Sequence, residues 1–345
     1  MTLELMIVGD FLSRKDTEAG GPWEDGLGRM YKGFLSQQGI NPRECLFANV
    51  FNHTPSPRAS LDQLFGNKKE GIPLTKPVMK GKYMLAEHAA AVQKFRDMVN
   101  HHKPNLILAC GDLATWATCS GNNPIDNARG RIAIGNAGIN HTKVLPTYAP
   151  GQVAASWPFR PVVLADMAKA SREMRFPEVR RPQRFLHIEP TLDEMEDFFQ
   201  TYIKGSKYLS CDIETKGKII TCVGFAPTVD RALVVPFFSE TDKAGNYWQT
   251  AREELLAWQF VERMLALPVA TSGQNFQYDM QYLWRRMAIG APSFKDDTML
   301  MHHVLQPEMR KGLGFLASIY TDETAWKGMH KVSAADKSAK RGDAE

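Results

Sequence analysis

The chain is short of cysteine, of long apolar runs and of net charge. Its 345 residues include five cysteines: Cys45, Cys110, Cys119, Cys211 and Cys222. They are odd in number, scattered, and lie mostly inside apolar runs. That excludes a secreted disulfide scaffold and points to reduced core thiols in a cytoplasmic protein. No apolar run approaches the roughly 18–20 residues that cross a bilayer, so no membrane partner is expected. The opening MTLELMIVGD has no basic start, long apolar stretch or cleavage site, and reads as a strand rather than a signal peptide. The 42 Lys and Arg against 38 Asp and Glu leave a net charge of +4, which permits a nucleic-acid partner without demanding one. With 43% hydrophobic residues the chain has enough apolar surface for real cores. Its length suggests about two domains.

A break falls at residues 176–185. The stretch from Arg172 to Arg184 carries five arginines and two prolines, which keep it solvated and discourage a helix. Before the break, Met6–Gly9, Cys45–Phe51, Leu106–Gly111 and Lys143–Tyr148 read as buried strands. Gly26–Gln38, Ala86–Asn100 and Pro161–Met174 read as helices. Such alternation predicts a mostly parallel sheet with helices on both faces, and ligands beyond the carboxyl ends of its strands. Thr54–Lys82 reads as a long surface loop. After the break, Tyr208–Asp212, Ile219–Ala226 and Arg231–Phe237 read as an antiparallel meander. A helix over Arg252–Leu267, a strand over Val269–Gly273, a helix over Tyr278–Ala288 and another from Asp297 follow. The polar stretch Lys327–Glu345 is expected to be disordered or to need a partner.

Asp212-Ile213-Glu214 ends an apolar run. Residues two apart in a strand share a face, so the two carboxylates project together. They repel unless a cation lies between them, and hard oxygens suit Mg²⁺ or Mn²⁺. Taken alone, the pattern is a weak metal signal and fits an exposed edge strand better. Further along, Asn275 is a candidate helix cap and Asp279 falls in the first turn behind it.

In combination these residues resemble the DnaQ-like 3′→5′ exonucleases, specifically the proofreading domain of family A DNA polymerases, over about residues 186–327. Asp212 and Glu214 match the first motif, and Asn275 and Asp279 the second. The meander, Asp297-Thr298-Met299-Leu300 and Lys311–Tyr320 fit as well. The resemblance implies two-metal phosphodiester hydrolysis with two Mg²⁺ or Mn²⁺ ions. Asp212 would bridge both ions, Glu214 would hold the water-activating one and Asp279 the other. Asn275 would contact substrate. The third motif of the polymerase branch, a tyrosine with an aspartate four positions later, is missing, because Thr324 stands four after Tyr320. Either the domain is degenerate, or it belongs to a split polymerase whose separate polymerase chain supplies the last helix. In the second case the chain exposes an apolar surface. A third possibility recruits Asp297 or Asp322 as the missing ligand.

The first half resembles the uracil-DNA glycosylase superfamily, nearest its families 4 and 5, over about residues 3–175. Ile7–Asp10, Gly20–Trp23, Phe47–Val50, Lys103–Gly111 and Val144–Pro150 carry the likeness. Trp23 stands at the aromatic stacking position and Asn49 at the amide that reads a flipped base; a core aromatic and a turn or cap residue are the plainer alternatives. The histidine expected to stabilise the departing base is replaced by Ala149 before Pro150. The first loop departs to Asp10-Phe11-Leu12-Ser13. Without a Cys-x-x-Cys no iron–sulfur cluster is expected. Glycosylase activity is therefore expected to be lost or very weak.

The pairs His101-His102 and His302-His303 have no partners in sequence to complete a metal site. Lys68-Lys69, the arginine stretch and the Lys327–Arg341 segment read as solvated charge, with phosphate contact as the alternative. The chain thus reads as an α/β protein of two domains. Residues 1–175 form a glycosylase-like parallel-sheet α/β/α domain, 176–185 a linker, 186–326 a ribonuclease H-like exonuclease domain with a mixed sheet, and 327–345 a tail. DNA 3′ ends are the expected substrate, and a non-catalytic DNA- or polymerase-binding scaffold is the competing reading.

Overall fold

The computed structural model describes residues 3–52, 64–78, 81–119 and 124–323. The segment from Lys327 and part of the Thr54–Lys82 loop lie outside the described residues. The chain divides into two compact units, one running to Arg181 and resuming at Gly314, the other spanning Pro182–Leu313. The break between them falls inside the arginine- and proline-rich stretch.

The first unit runs β1 (Leu5–Phe11), α1 (Arg14–Glu18), α2 (Gly26–Gln37), β2 (Leu46–Phe51), the short β3 (Phe65–Gly66) and β4 (Tyr83–Met84), α3 (Ala89–His102) and β5 (Leu106–Cys110). It continues with α4 (Asp112–Thr118), α5 (Ile125–Ala128), β6 (Ala133–Ile134), β7 (Lys143–Thr147), α6 (Pro150–Ala155) and α7 (Phe159–Glu173). Its main sheet has the order β2-β1-β5-β7-β6. All neighbours are parallel except β6, which runs antiparallel to β7. The central strands are apolar along their length because helices cover both faces. Met6, Val8, Ile107 and Ala109 face a core made with α3 and α4. The alternating residues of β5 and β7 lie toward α7, which packs against both strands and against α2.

The second unit runs β8 (Phe185–His187), α8 (Leu192–Phe198), β9 (Tyr208–Lys216), β10 (Ile219–Thr228), β11 (Arg231–Pro236), α9 (Ala251–Ala266), β12 (Ala270–Gly273), α10 (Phe276–Met287), β13 (Phe294–Asp297) and α11 (Thr298–Leu305). Its mixed sheet has the order β13-β12-β9-β10-β11-β8. The meander β9-β10-β11 is antiparallel, whereas β12 joins β9, and β13 joins β12, in parallel. Thr191 with Glu194 and Thr250 with Glu253 form reciprocal capping boxes that start α8 and α9, satisfying two orphan amides each. Leu209, Cys211, Ile213, Val223 and Leu233 build the core with Phe198, Phe260 and Met264.

Helix α12 (Leu313–Tyr320) departs from expectation. The sequence reading groups Lys311–Tyr320 with the second domain, but this helix bonds to the first unit. The Arg129 guanidinium, fully buried, pairs with both oxygens of Asp166 and donates to Ser318 Oγ at 2.7 Å. Lys169 Nζ donates to the carbonyls of Gly130 and Thr321, each at 2.7 Å, and Arg131 donates to the Gly314 carbonyl at 2.6 Å. An apolar pattern identifies a helix but not the core that covers it.

Arg129→Met leaves Asp166 buried without its cation. Breaking a buried pair from one side costs about 3–5 kcal/mol, so the first unit should lose that much in urea unfolding. Amide exchange should rise across Gly314–Thr321. A loss under about 1 kcal/mol, the size of an ordinary surface change, would show that the pair does not hold this helix.

Candidate functional site

Strand β9 alternates as its sequence predicts. Leu209, Cys211 and Ile213 are buried, and Ser210, Asp212 and Glu214 are exposed on the opposite face. The strand is not an edge, since β10 and β12 flank it. Asp212 and Glu214 therefore stand together on one face of an internal strand. Strand β12 pairs only with Tyr208, Leu209 and Ser210, which leaves the following stretch of β9 without a strand neighbour on that side.

Helix α10 fills this gap. Asp279, in its first turn and 3% exposed, accepts the Ile213 backbone N–H at 2.9 Å. The third carboxylate is thus fixed against the residue between the first two. Burial pushes the Asp279 carboxyl up to about 6, with like charge from Asp212 and Asp297 adding to it and the Ile213 amide opposing it. Tyr278, read in the sequence only as the start of a helix, bonds through its hydroxyl to Thr215 Oγ1 at 2.7 Å. Its signal was its place beside Asp279 on a helix that also carries Tyr282, whose hydroxyl donates to the Gly217 carbonyl.

Two expectations need correction. Asn275 is not a side-chain cap: its backbone is left-handed (φ 55°, ψ 42°) and its side chain makes no cap hydrogen bond. The amides at this helix start go instead to Asp297, which accepts from Asn275, Phe276, Met299 and Leu300. Asp297 and Asp322 are also poor candidates for a missing ligand. The former is filled by these amides, and the latter pairs with Lys169 and Arg172 of the first unit. Among the described residues, no three His, Cys, Asp or Glu side chains close into a metal-ready cluster. The donor set still fits a hard divalent cation. It offers two exposed carboxylates on one face and a third whose proton affinity is raised first by burial and then by like charge, the part that a cation would relieve.

The first unit holds a cavity of about 230 Å³ at the carboxyl ends of β1, β2 and β5, where parallel sheets bind ligands. Trp23 and Asn49 both line it, with Asp10, Cys110 and Ala149. Trp23 is 5% exposed and donates from its indole to the Ala48 carbonyl at 3.1 Å. Its backbone lies at φ 63°, a strained conformation for a bulky residue. Asn49 sits on β2, and its Nδ2 is buried without a hydrogen-bond partner among the described residues. Gly9 permits this packing: a Cβ there would meet Asn49 Oδ1 at 2.5 Å and the Trp23 ring at 2.9 Å. Trp23 is therefore both a core aromatic and a pocket wall, and Asn49 is not a turn or cap residue. Asp10, not singled out as a site residue in the sequence, accepts the Ala114 N–H at 3.1 Å, and burial pushes its carboxyl up to about 7. The signal that could have found it is an acid at the carboxyl end of an apolar central strand. Ala149 lines the same cavity.

No family model matches the chain, and no curated protein matches it. Among solved structures it is similar to the Trypanosoma brucei RNase D in complex with GMP, at 13% identity and a TM-score of 0.33 over 46% of this chain and 47% of that one. The exonuclease domain of EXD2 soaked in Mn and GMP is similar at 12% identity and a TM-score of 0.26, over 46% of this chain and 83% of that one. The Aedes aegypti Nibbler EXO domain is similar at 13% identity and a TM-score of 0.27, over 42% and 65% respectively. The chain spans about half the length of the RNase D that it matches.

The Asp10 carboxyl keeps its proton to about pH 7 in the folded protein, against 3.8 for an ordinary aspartate. The unfolded chain loses that proton first. Stability should therefore be highest below about pH 4 on this account, and fall as pH rises to about 7. Asp10→Asn keeps an acceptor for Ala114 and removes the titration. Its melting temperature relative to wild type should climb between pH 4 and 7 and then level off. A difference independent of pH would contradict the assignment.

Proposed function

We propose that the chain is a metal-dependent 3′→5′ exonuclease subunit acting on DNA 3′ ends, completed by a separate polymerase chain. The first unit then serves as a glycosylase-like module that binds a nucleobase without cutting its glycosidic bond. The observation that carries the nuclease reading is the Ile213–Asp279 hydrogen bond of 2.9 Å, which brings a helix carboxylate to the strand bearing Asp212 and Glu214. This arrangement supports a ribonuclease H-like assignment of the second unit.

Asp212, Glu214 and Asp279 are the residues that would hold Mg²⁺ or Mn²⁺. When bound, such ions activate a water and stabilise the departing 3′-oxygen. Asp212 and Glu214 offer their carboxylates on the open face of β9, where a strand end can approach. The Ile213 amide holds Asp279 in one orientation. Tyr278 is half exposed and braced on Thr215, which leaves its ring as a surface on which a base can stack.

A partner chain is supported by α11, which is built inside out. His302 is buried, whereas Leu300, Met301, Val304 and Leu305 are exposed, Val304 by 82%. Exposed apolar rows of this kind mark interaction surfaces. In the first unit, the unpartnered Asn49 amide and the Trp23 wall support base binding. Ala149, in place of a donor, argues against cleavage, since losing one such donor costs roughly 10²–10³ in rate in other systems. One observation favours the scaffold alternative: among the described residues no three His, Cys, Asp or Glu side chains form a group that could hold a metal ion.

The test is digestion of labelled single-stranded and mismatched primer–template DNA with Mg²⁺ or Mn²⁺, with and without the partner polymerase chain. Degradation from the 3′ end is expected only with the partner, and should fall to background in Asp212→Ala/Glu214→Ala. Degradation by the chain alone would remove the partner requirement. No degradation in either arm would leave the scaffold. In parallel, uracil-containing DNA should bind more weakly to Asn49→Ala and release no free uracil.

A further inference from the structure

We infer that Asp297 is a positioning residue for the carboxylate site: it holds the first turn of α10, and with it Asp279, in register with β9. The inference rests on the exonuclease reading of Asp212, Glu214 and Asp279. Asp297 ends β13, and the parallel pairing of β13 with β12 sets it opposite Gly273. From there its carboxylate reaches two helix starts at once. Oδ1 accepts the N–H groups of Asn275 at 3.0 Å, Met299 at 2.8 Å and Leu300 at 3.3 Å. Oδ2 accepts the Phe276 N–H at 2.9 Å.

The first amides of a helix have no partner within it and need an acceptor. At α11 this is an ordinary cap by the preceding residue. At α10 the adjacent side chain offers no acceptor to the Asn275 and Phe276 amides, because Asn275 is left-handed and its side chain does not cap. The acceptor comes instead from another strand. A negative charge between two helix N-termini is favoured by both dipoles. Asp279 lies three residues beyond Phe276, within the turn that these bonds secure. At 8% exposure and with its oxygens filled by amides, Asp297 acts on the site through backbone geometry. Partners behind the ligands of a metal site commonly set its affinity.

The experiment uses the full chain and three readouts. Asp297→Ala removes every acceptor. Asp297→Asn keeps one oxygen and turns an amide donor toward another N–H. Backbone exchange should rise at Asn275 and Phe276 in both variants, more in the alanine one. Mn²⁺ binding, followed by electron paramagnetic resonance, should weaken by about 10–100-fold in Asp297→Ala and by less in Asp297→Asn. In the digestion assay, excess Mn²⁺ should restore the Asp297→Ala rate but not that of Asp279→Ala. General loss of stability would not produce such rescue, and both Asp297 variants should melt above the assay temperature. Wild-type Mn²⁺ affinity in Asp297→Ala, or unchanged exchange at Asn275 and Phe276, would overturn the inference alone. Failure of the wild-type chain to bind Mn²⁺ would overturn the exonuclease reading beneath it.

Discussion

The bond between the Ile213 amide and the Asp279 carboxylate organises the second unit. It exists because β12 stops pairing with β9 at Ser210 while β9 runs on to Lys216. An amide in the middle of a sheet is then left without a ladder partner, and a buried amide must find one. A helix aspartate meets that need. In doing so, it stands beside two carboxylates that the strand period has already put on one face. The same step supplies a missing hydrogen bond and gathers negative charge. Burial and, after it, the like charge of Asp212 raise the affinity of Asp279 for its proton.

Acids used for structure and acids left for chemistry are separated by what their oxygens touch. Asp297 is saturated by four backbone amides, and Asp166 is matched by Arg129 and by Thr147 at 2.8 Å. Asp279 has one amide on Oδ1 and a like charge nearby. Asp212 and Glu214 are exposed on an open face. Amides or cations hold the first pair in fixed roles; Asp212 and Glu214 lie on the exposed side of β9. Burial alone would not separate them, since Asp279 is as buried as Asp297.

The pocket of the first unit shows the same economy. Gly9 lets Asn49 and Trp23 close on one another, and Asp10 starts α4 from across the sheet through Ala114. These are packing functions, and they leave one buried amide donor unanswered in a cavity at the ligand-binding end of a parallel sheet. An unanswered buried amide at such a place is open to an acceptor atom of a ligand.

Much of the fold was legible in the sequence, because strand and helix periods are local. The alternation in Tyr208–Lys216 put Asp212 and Glu214 on one face, and the apolar runs of β1 and β5 announced a covered parallel sheet. The sequence offered Asp212, Glu214 and Asp279 as one candidate group and Trp23 and Asn49 as another; the Ile213–Asp279 bond ties the first group to one strand, and one cavity is lined by both members of the second. Contacts between distant residues were not readable. Asn275 looked like a cap because caps are usually adjacent in sequence; the acceptor proved to be Asp297, brought there by strand register. Asp10 looked like loop variation until the sheet set it beneath α4. Helix α12 looked like part of the second unit until Arg129 and Lys169 bound it to the first. The sequence by itself determined which residues share a face, since side-chain periodicity is a property of the backbone. Only the tertiary structure decided which amide each carboxylate answers, because a hydrogen bond depends on distance in space and not on separation along the chain.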